Sequence, residues 1–163
     1  MSGGFFMRKI IIPLFLMILL VIGCDNTMNT PTVKVEKFLG KYQKMDKEVI
    51  KELDYMLEKE TGLSKKQKKE YKELLKKQYQ NLSYKIISEE TNNNHSIVEV
   101  EIQVLDYKSA MDKKNTIEMR IKEMKKVTAM TKYKITIPLS KKDGVWFIDE
   151  ISDDDRQKLH GIY

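Results

Sequence analysis

Cysteine is almost absent, since Cys24 is the one thiol in 163 residues. An internal disulfide is excluded, and so is a zinc or iron–sulfur site built on several thiolates. Histidine is nearly as scarce. With only His95 and His160, a three-histidine metal site is impossible, and a hydrolytic triad would have to rest on one of the two. Of seven glycines only four follow Cys24, which leaves no glycine-rich phosphate loop, and no serine lies in a Gly-x-Ser-x-Gly setting. Arginine, the commonest reader of base edges, occurs three times. The formal charge of +6 falls to +4 without Arg8 and Lys9, a mild excess that does not point to nucleic acid. These absences lead us to expect a protein without catalytic or metal chemistry, and 163 residues are enough for one compact domain.

What is present begins at the N-terminus. Met7-Arg8-Lys9 is short and basic, and Ile10 to Ile22 is an apolar run of 13 residues containing Pro13. As a helix such a run reaches about 20 Å, short of a hydrocarbon core of about 30 Å, and its length is that of a signal-peptide core. It ends in Val21-Ile22-Gly23-Cys24, which resembles the bacterial lipobox. The resemblance implies cleavage between Gly23 and Cys24 and a diacylglyceryl group on the Cys24 sulfur. Acyl chains at about 0.8 kcal/mol per buried CH₂ would hold a soluble domain on a membrane. Residues 1–23 are thus expected to be a signal peptide, with Met7 the better start. Residues 24–31, polar and carrying Pro31, read as a lipidated tether, and 32–163 as one domain. Abundant Lys, Ile and Asn with scarce Ala, Arg and Gly suggest a Gram-positive source, and hence the outer face of the plasma membrane.

In the remaining chain, apolar spacing predicts helices from Pro31 through Tyr42, from a cap at Asp46 to Gly62, and from the capping-box pattern Ser64-Lys65-Lys66-Gln67 onward. After Asn81 the period becomes two. Leu82, Tyr84 and Ile86 alternate, Thr91 to His95 turns the chain, and Val98, Val100, Ile102 and Val104 alternate back. Lys108 to Lys126 reads as one helix. Tyr133, Ile135, Ile137 and Leu139 form a third strand, Asp143-Gly144 a hairpin turn, and Val145 to Ile148 a fourth strand, before a short helix capped by Asp153 and closed by Gly161. The order predicts an α+β fold. N-terminal helices and one inserted helix pack on one face of a four-stranded, or slightly larger, antiparallel sheet.

This order, the strand Gly144-Val145-Trp146-Phe147-Ile148-Asp149 and the tail Lys158 to Tyr163 resemble a group of Gram-positive lipoproteins with a cone-shaped fold related to nuclear transport factor two and the cystatins. The resemblance implies a binding module and carries no catalytic residue. Four evident strands are fewer than a full cone has.

Candidate contact surfaces come from aromatic and basic residues. Tyr84, Tyr133 and Trp146 could wall a concave sheet face. Trp146 and Ile148 project to one side of their strand and Val145 and Phe147 to the other, so one large aromatic should lie off the helix-packed face. Seven lysines against two glutamates between Ser64 and Tyr79, with Lys65, Lys68, Lys69, Lys72 and Lys76 among them, could rest on an anionic lipid surface or envelope polymer. His95 and His160 read as exposed turn and cap residues. The run Asp153-Asp154-Asp155 lacks the alternation of a calcium loop and reads as a solvated helix start. The expectation is a lipid-anchored, non-enzymatic binding or scaffold module of the cell envelope, with no cofactor beyond the lipid on Cys24. A small-ligand carrier or enzyme using the sheet face, or an immunity or exclusion lipoprotein, is the alternative.

Overall fold

The computed structural model describes residues 29–112 and 116–162. The apolar run, Gly23 and Cys24 lie outside the described residues. The architecture is α+β, as the periodicity predicts. Helices α1 (Pro31–Gln43), α2 (Lys47–Lys59) and α3 (Lys65–Gln80) precede β1 (Ser83–Asn92) and β2 (His95–Leu105). Helices α4 (Tyr107–Met111) and α5 (Ile117–Met124), strands β3 (Met130–Lys142) and β4 (Val145–Ile148), and helix α6 (Asp153–Leu159) complete the order. The four strands form one antiparallel sheet in the order β1-β2-β3-β4.

Local chemistry fixes most boundaries. Thr30, Asp46 and Ser64 accept from backbone N–H groups at the starts of α1, α2 and α3, and Ser64 with Gln67 closes a reciprocal capping box. Asp143 and Gly144 both take positive φ (50° and 79°), the geometry of a tight hairpin turn, and Asn93 does the same between β1 and β2. Both turns lie at one end of the sheet. The Lys141 N–H donates to the Asn94 carbonyl across 2.7 Å and joins them.

The core lies between the sheet and the helices. Val98, Val100, Ile102 and Val104 of β2 are fully buried with Ile135, Ile137 and Leu139 of β3, against Val35, Leu39, Leu53, Leu75 and Tyr79 of the helices. A smaller cluster of Leu74, Leu105, Tyr107, Ile121 and Met124 closes the end of the sheet away from the hairpins.

Three local expectations are corrected. The segment 108–126 is two helices, because Asp106 and Thr116 each cap a separate start. Ser152, not Asp153, caps α6, accepting from the Asp155 N–H. The fold also takes in residues assigned to the tether. Asn29 Nδ2 donates to the Gly144 carbonyl (2.6 Å), Asn29 Oδ1 accepts from the Trp146 N–H (3.2 Å), and Pro31 is buried in the first turn of α1.

The sheet edges are managed by side chains. Pro138 sits inside β3, yet its carbonyl accepts from the Asp149 N–H, so its missing donor faces the β4 side and costs no bond to β2. Beyond the reach of β4, the Thr136 N–H donates to the buried carboxylate of Asp155 at 3.1 Å. Asp155 therefore departs from the solvated charge run expected for 153–155. Strand β1 carries a bulge between Ile86 and Ser88, which twists an outer edge away from flat pairing.

Candidate functional site

The residues proposed from sequence do not converge. Tyr84 and Tyr133 stand in one row, each paired with Ile102 from opposite sides, and both are half-buried against the core. Trp146 lies level with Lys141, eight residues further along β3 than Tyr133, or about 26 Å. Trp146 is only 5% exposed and belongs to the core. Phe147, on the other side of the strand, is 50% exposed on the open sheet face, so one large aromatic does lie off the helix-packed face, as the alternation requires. The helices pack on the face that carries Trp146 and draw it into the core, while Tyr84 keeps a partly open place beside α1, in a cleft with Val33, Glu36, Gly40 and Lys44.

The lysine-rich helix α3 joins the sheet at the end away from the hairpins, where Ser83 pairs with Gln103. Several of its lysines have protein partners. Lys68 donates to the Glu58 carbonyl at 3.0 Å, Lys72 pairs with Asp54, and Lys76 pairs with Glu73 at 2.8 Å. Lys65 and Lys69 are exposed.

Two clefts lie among the helices. A cleft of about 300 Å³ opens between α2, α3, α5 and the C-terminal tail, and its walls are chiefly Met56, Leu57, Leu75, Met111, Ile121 and Met124. Polar groups enter at Glu60, Arg120 and His160. A second cleft, of about 570 Å³, shares Met56 and His160 and adds Tyr42, Glu52, Tyr79 and Arg156. Methionine suits such walls, since its unbranched thioether adapts to different shapes.

His160 stands at the junction of the two. The sequence places it at an exposed cap, but the structure places it half-buried with Nδ1 2.7 Å from the Tyr79 hydroxyl. Burial, helped by the nearby Arg156 guanidinium, lowers its pKa to about 4, so it is neutral at physiological pH. Burial, with Tyr42 and Glu52 beside it, pushes the Tyr79 phenol well above its ordinary value. Tyr42 donates to Glu52 at 3.2 Å and meets Tyr79 edge-on at 4.9 Å, so an aromatic row runs from the α1–α2 pair to the imidazole.

The tail that brings His160 here is itself held tightly. The Gln78 amide donates to the Leu105 carbonyl (3.2 Å) and accepts from the Leu105 N–H (2.7 Å) inside the core. Gly161 lies flat on this pair at φ +71°, where a Cβ would fall 2.0 Å from Gln78 Nε2. Its carbonyl accepts from the Lys108 N–H at 3.0 Å. Chemically, the arrangement offers apolar walls, a neutral imidazole and a guanidinium. Among the described residues there is no cluster of three or more His, Cys, Asp or Glu able to hold a metal, and no helix long and apolar enough to cross a membrane. Comparison with family models, with curated proteins and with solved structures found no match.

Proposed function

We propose that the protein is a lipid-anchored lipoprotein of the outer face of the plasma membrane, whose single α+β domain acts as a non-enzymatic binding module. One observation carries the reading: the Val21-Ile22-Gly23-Cys24 sequence at the end of a 13-residue apolar run. Support also comes from the position of the domain. Asn29 is already bonded into it, so five residue steps separate the proposed lipid from the fold. The resemblance to the cone-shaped lipoproteins remains part of this proposal.

The test compares the wild type with Cys24→Ala in a Gram-positive host, by membrane fractionation and intact mass. The wild type is expected in the membrane fraction, with a mass that starts at Cys24 and includes a diacylglyceryl group, and the variant is expected outside it. Wild-type protein of unmodified mass, fractionating like the variant, would sink the reading. In-cell crosslinking of the same pair should recover an envelope protein or polymer with the wild type alone.

The interhelical cleft favours a second reading, a carrier of a small amphiphile. Its volume lies at the low end of ligand sites, its walls are apolar and its polar groups few. Tyr84, Tyr133 and Trp146 would have no part in it. Because Trp146 is buried elsewhere, its fluorescence would not report such a ligand, whereas the methyl groups of Met56, Met111 and Met124 would.

A further inference from the structure

The place where the chain enters the fold determines which part of the domain an anchor at Cys24 can bring to the bilayer. Asn29 is clamped to the β3–β4 turn through Gly144 and Trp146, and Thr32 donates its N–H (3.1 Å) and hydroxyl (2.6 Å) to Glu89 near the β1–β2 turn. Entry is thus tied to both hairpins at one end of the sheet. From Cys24 to Asn29 the backbone spans at most about 18 Å when fully extended. Strand β2, with 11 residues, is about 36 Å long, so the opposite end, where Leu105 pairs with Met130, lies about twice as far from Asn29 as the tether reaches.

The side chains around the clamp are of the right kind. Val145 and Phe147 flank the clamped Trp146, project from the open sheet face, and are 38% and 50% exposed. Ile97, 47% exposed, projects from the same face opposite Pro138. Across the strands Ile97 pairs with the exposed Glu90 of β1, and the rest of this face carries Lys132 bonded to Glu101 at 2.8 Å, Lys134 paired with Glu101, and Met130 at its far limit. Val145 and Phe147 are the exposed apolar side chains next to the clamp, and the charged middle of the face separates them from Met130, which favours an end-on contact over a sheet lying flat.

We propose that the hairpin end of the sheet, with Val145 and Phe147 at its centre, is the surface that the anchored domain lays against the lipid headgroup region of the membrane. The inference rests on the lipid-anchor reading and adds the orientation of the domain. Charges near the patch are mixed, with Lys142, Asp143 and Glu90 exposed and Asp149 bonded to Ser140. The contact is therefore apolar and holds in high salt.

Cys24 is the only cysteine, so in the lipidated protein an introduced thiol is the only one free to label. Phe147→Cys, Val145→Cys and Met130→Cys, each carrying the same environment-sensitive fluorophore, would be placed on phosphatidylcholine vesicles containing a lipid-borne nitroxide quencher. Met130 lies on the same face at the far end, and the emission of buried Trp146 checks that each variant is folded. Quenching at 147 or 145 is expected to exceed that at 130 at least threefold, unchanged at high salt. Equal quenching at both ends, or stronger quenching at 130, on protein that floats with the vesicles overturns this orientation alone. Wild-type protein that carries no lipid and does not float overturns the anchor reading and this inference with it.

Discussion

Glycine at two positions illustrates how differently one residue type is used. Gly144 has φ +79° and open space around its missing Cβ, so Gly144→Ala meets only backbone strain and should cost about 1 kcal/mol. Gly161 adds a collision with Gln78 and Leu105, and its replacement by Ala should cost about 3 kcal/mol or more, measured by urea unfolding. Similar losses for the two variants would show that the tail does not pack as described. His160 supplies a pH dependence. Its folded pKa of about 4 lies below the ordinary 6.5, so the unfolded chain takes up the proton first as pH falls. Stability should be undiminished by this group above pH 6.5, decline toward pH 4, and level off below. In His160→Phe that part of the decline should vanish. Little of this was legible in the sequence. Gln78 meets a backbone 27 residues away and Tyr79 meets His160 across 81, and neither local period nor composition encodes such pairings.

Elements were read far better, because their signals are local. Alternation fixed the faces of β2 and β3, and Asp143-Gly144 marked a turn whose φ values few residue pairs accept. The capping box of α3 is equally local. Ser64→Ala should lower stability by about 1 kcal/mol in thermal or urea unfolding, and no change would mean that the first turn frays without consequence. The failure at 108–126 has a physical cause. Met111, Ile117, Ile121 and Met124 all face the smaller core cluster or its margin, so their apolar spacing persists across two helices even though the cap at Thr116 starts a new one. Which face of β4 is covered was open for a related reason: alternation separates two faces of a strand, but only the helices decide which one they cover, and here they cover Trp146 and leave Phe147 exposed.

At the scale of the whole molecule, the two candidate surfaces occupy separate regions. The hairpin end carries the entry of the chain, while the methionine-walled cleft is formed by α2, α3, α5 and the tail. A membrane contact at the first would leave the second open to a ligand. With carbon-13 labelled methionine methyl groups, titration of a medium-chain fatty acid should shift the resonances of Met56, Met111 and Met124 and spare Met45, which packs against the main core. Uniform shifts, or none, would remove the small-amphiphile reading and leave the protein-binding one.

Asp155 has a consequence for how copies of the molecule treat one another. The outer rim of β3 beyond Ile148 is long enough to template a strand from a neighbour, and the carboxylate that accepts the Thr136 N–H occupies that position intramolecularly. With Asp155→Ala the rim would be left with an unsatisfied donor that a second copy could fill. Helix α6 and its Asp155 carboxylate thus close, within one molecule, an edge that the four-residue β4 is too short to cover.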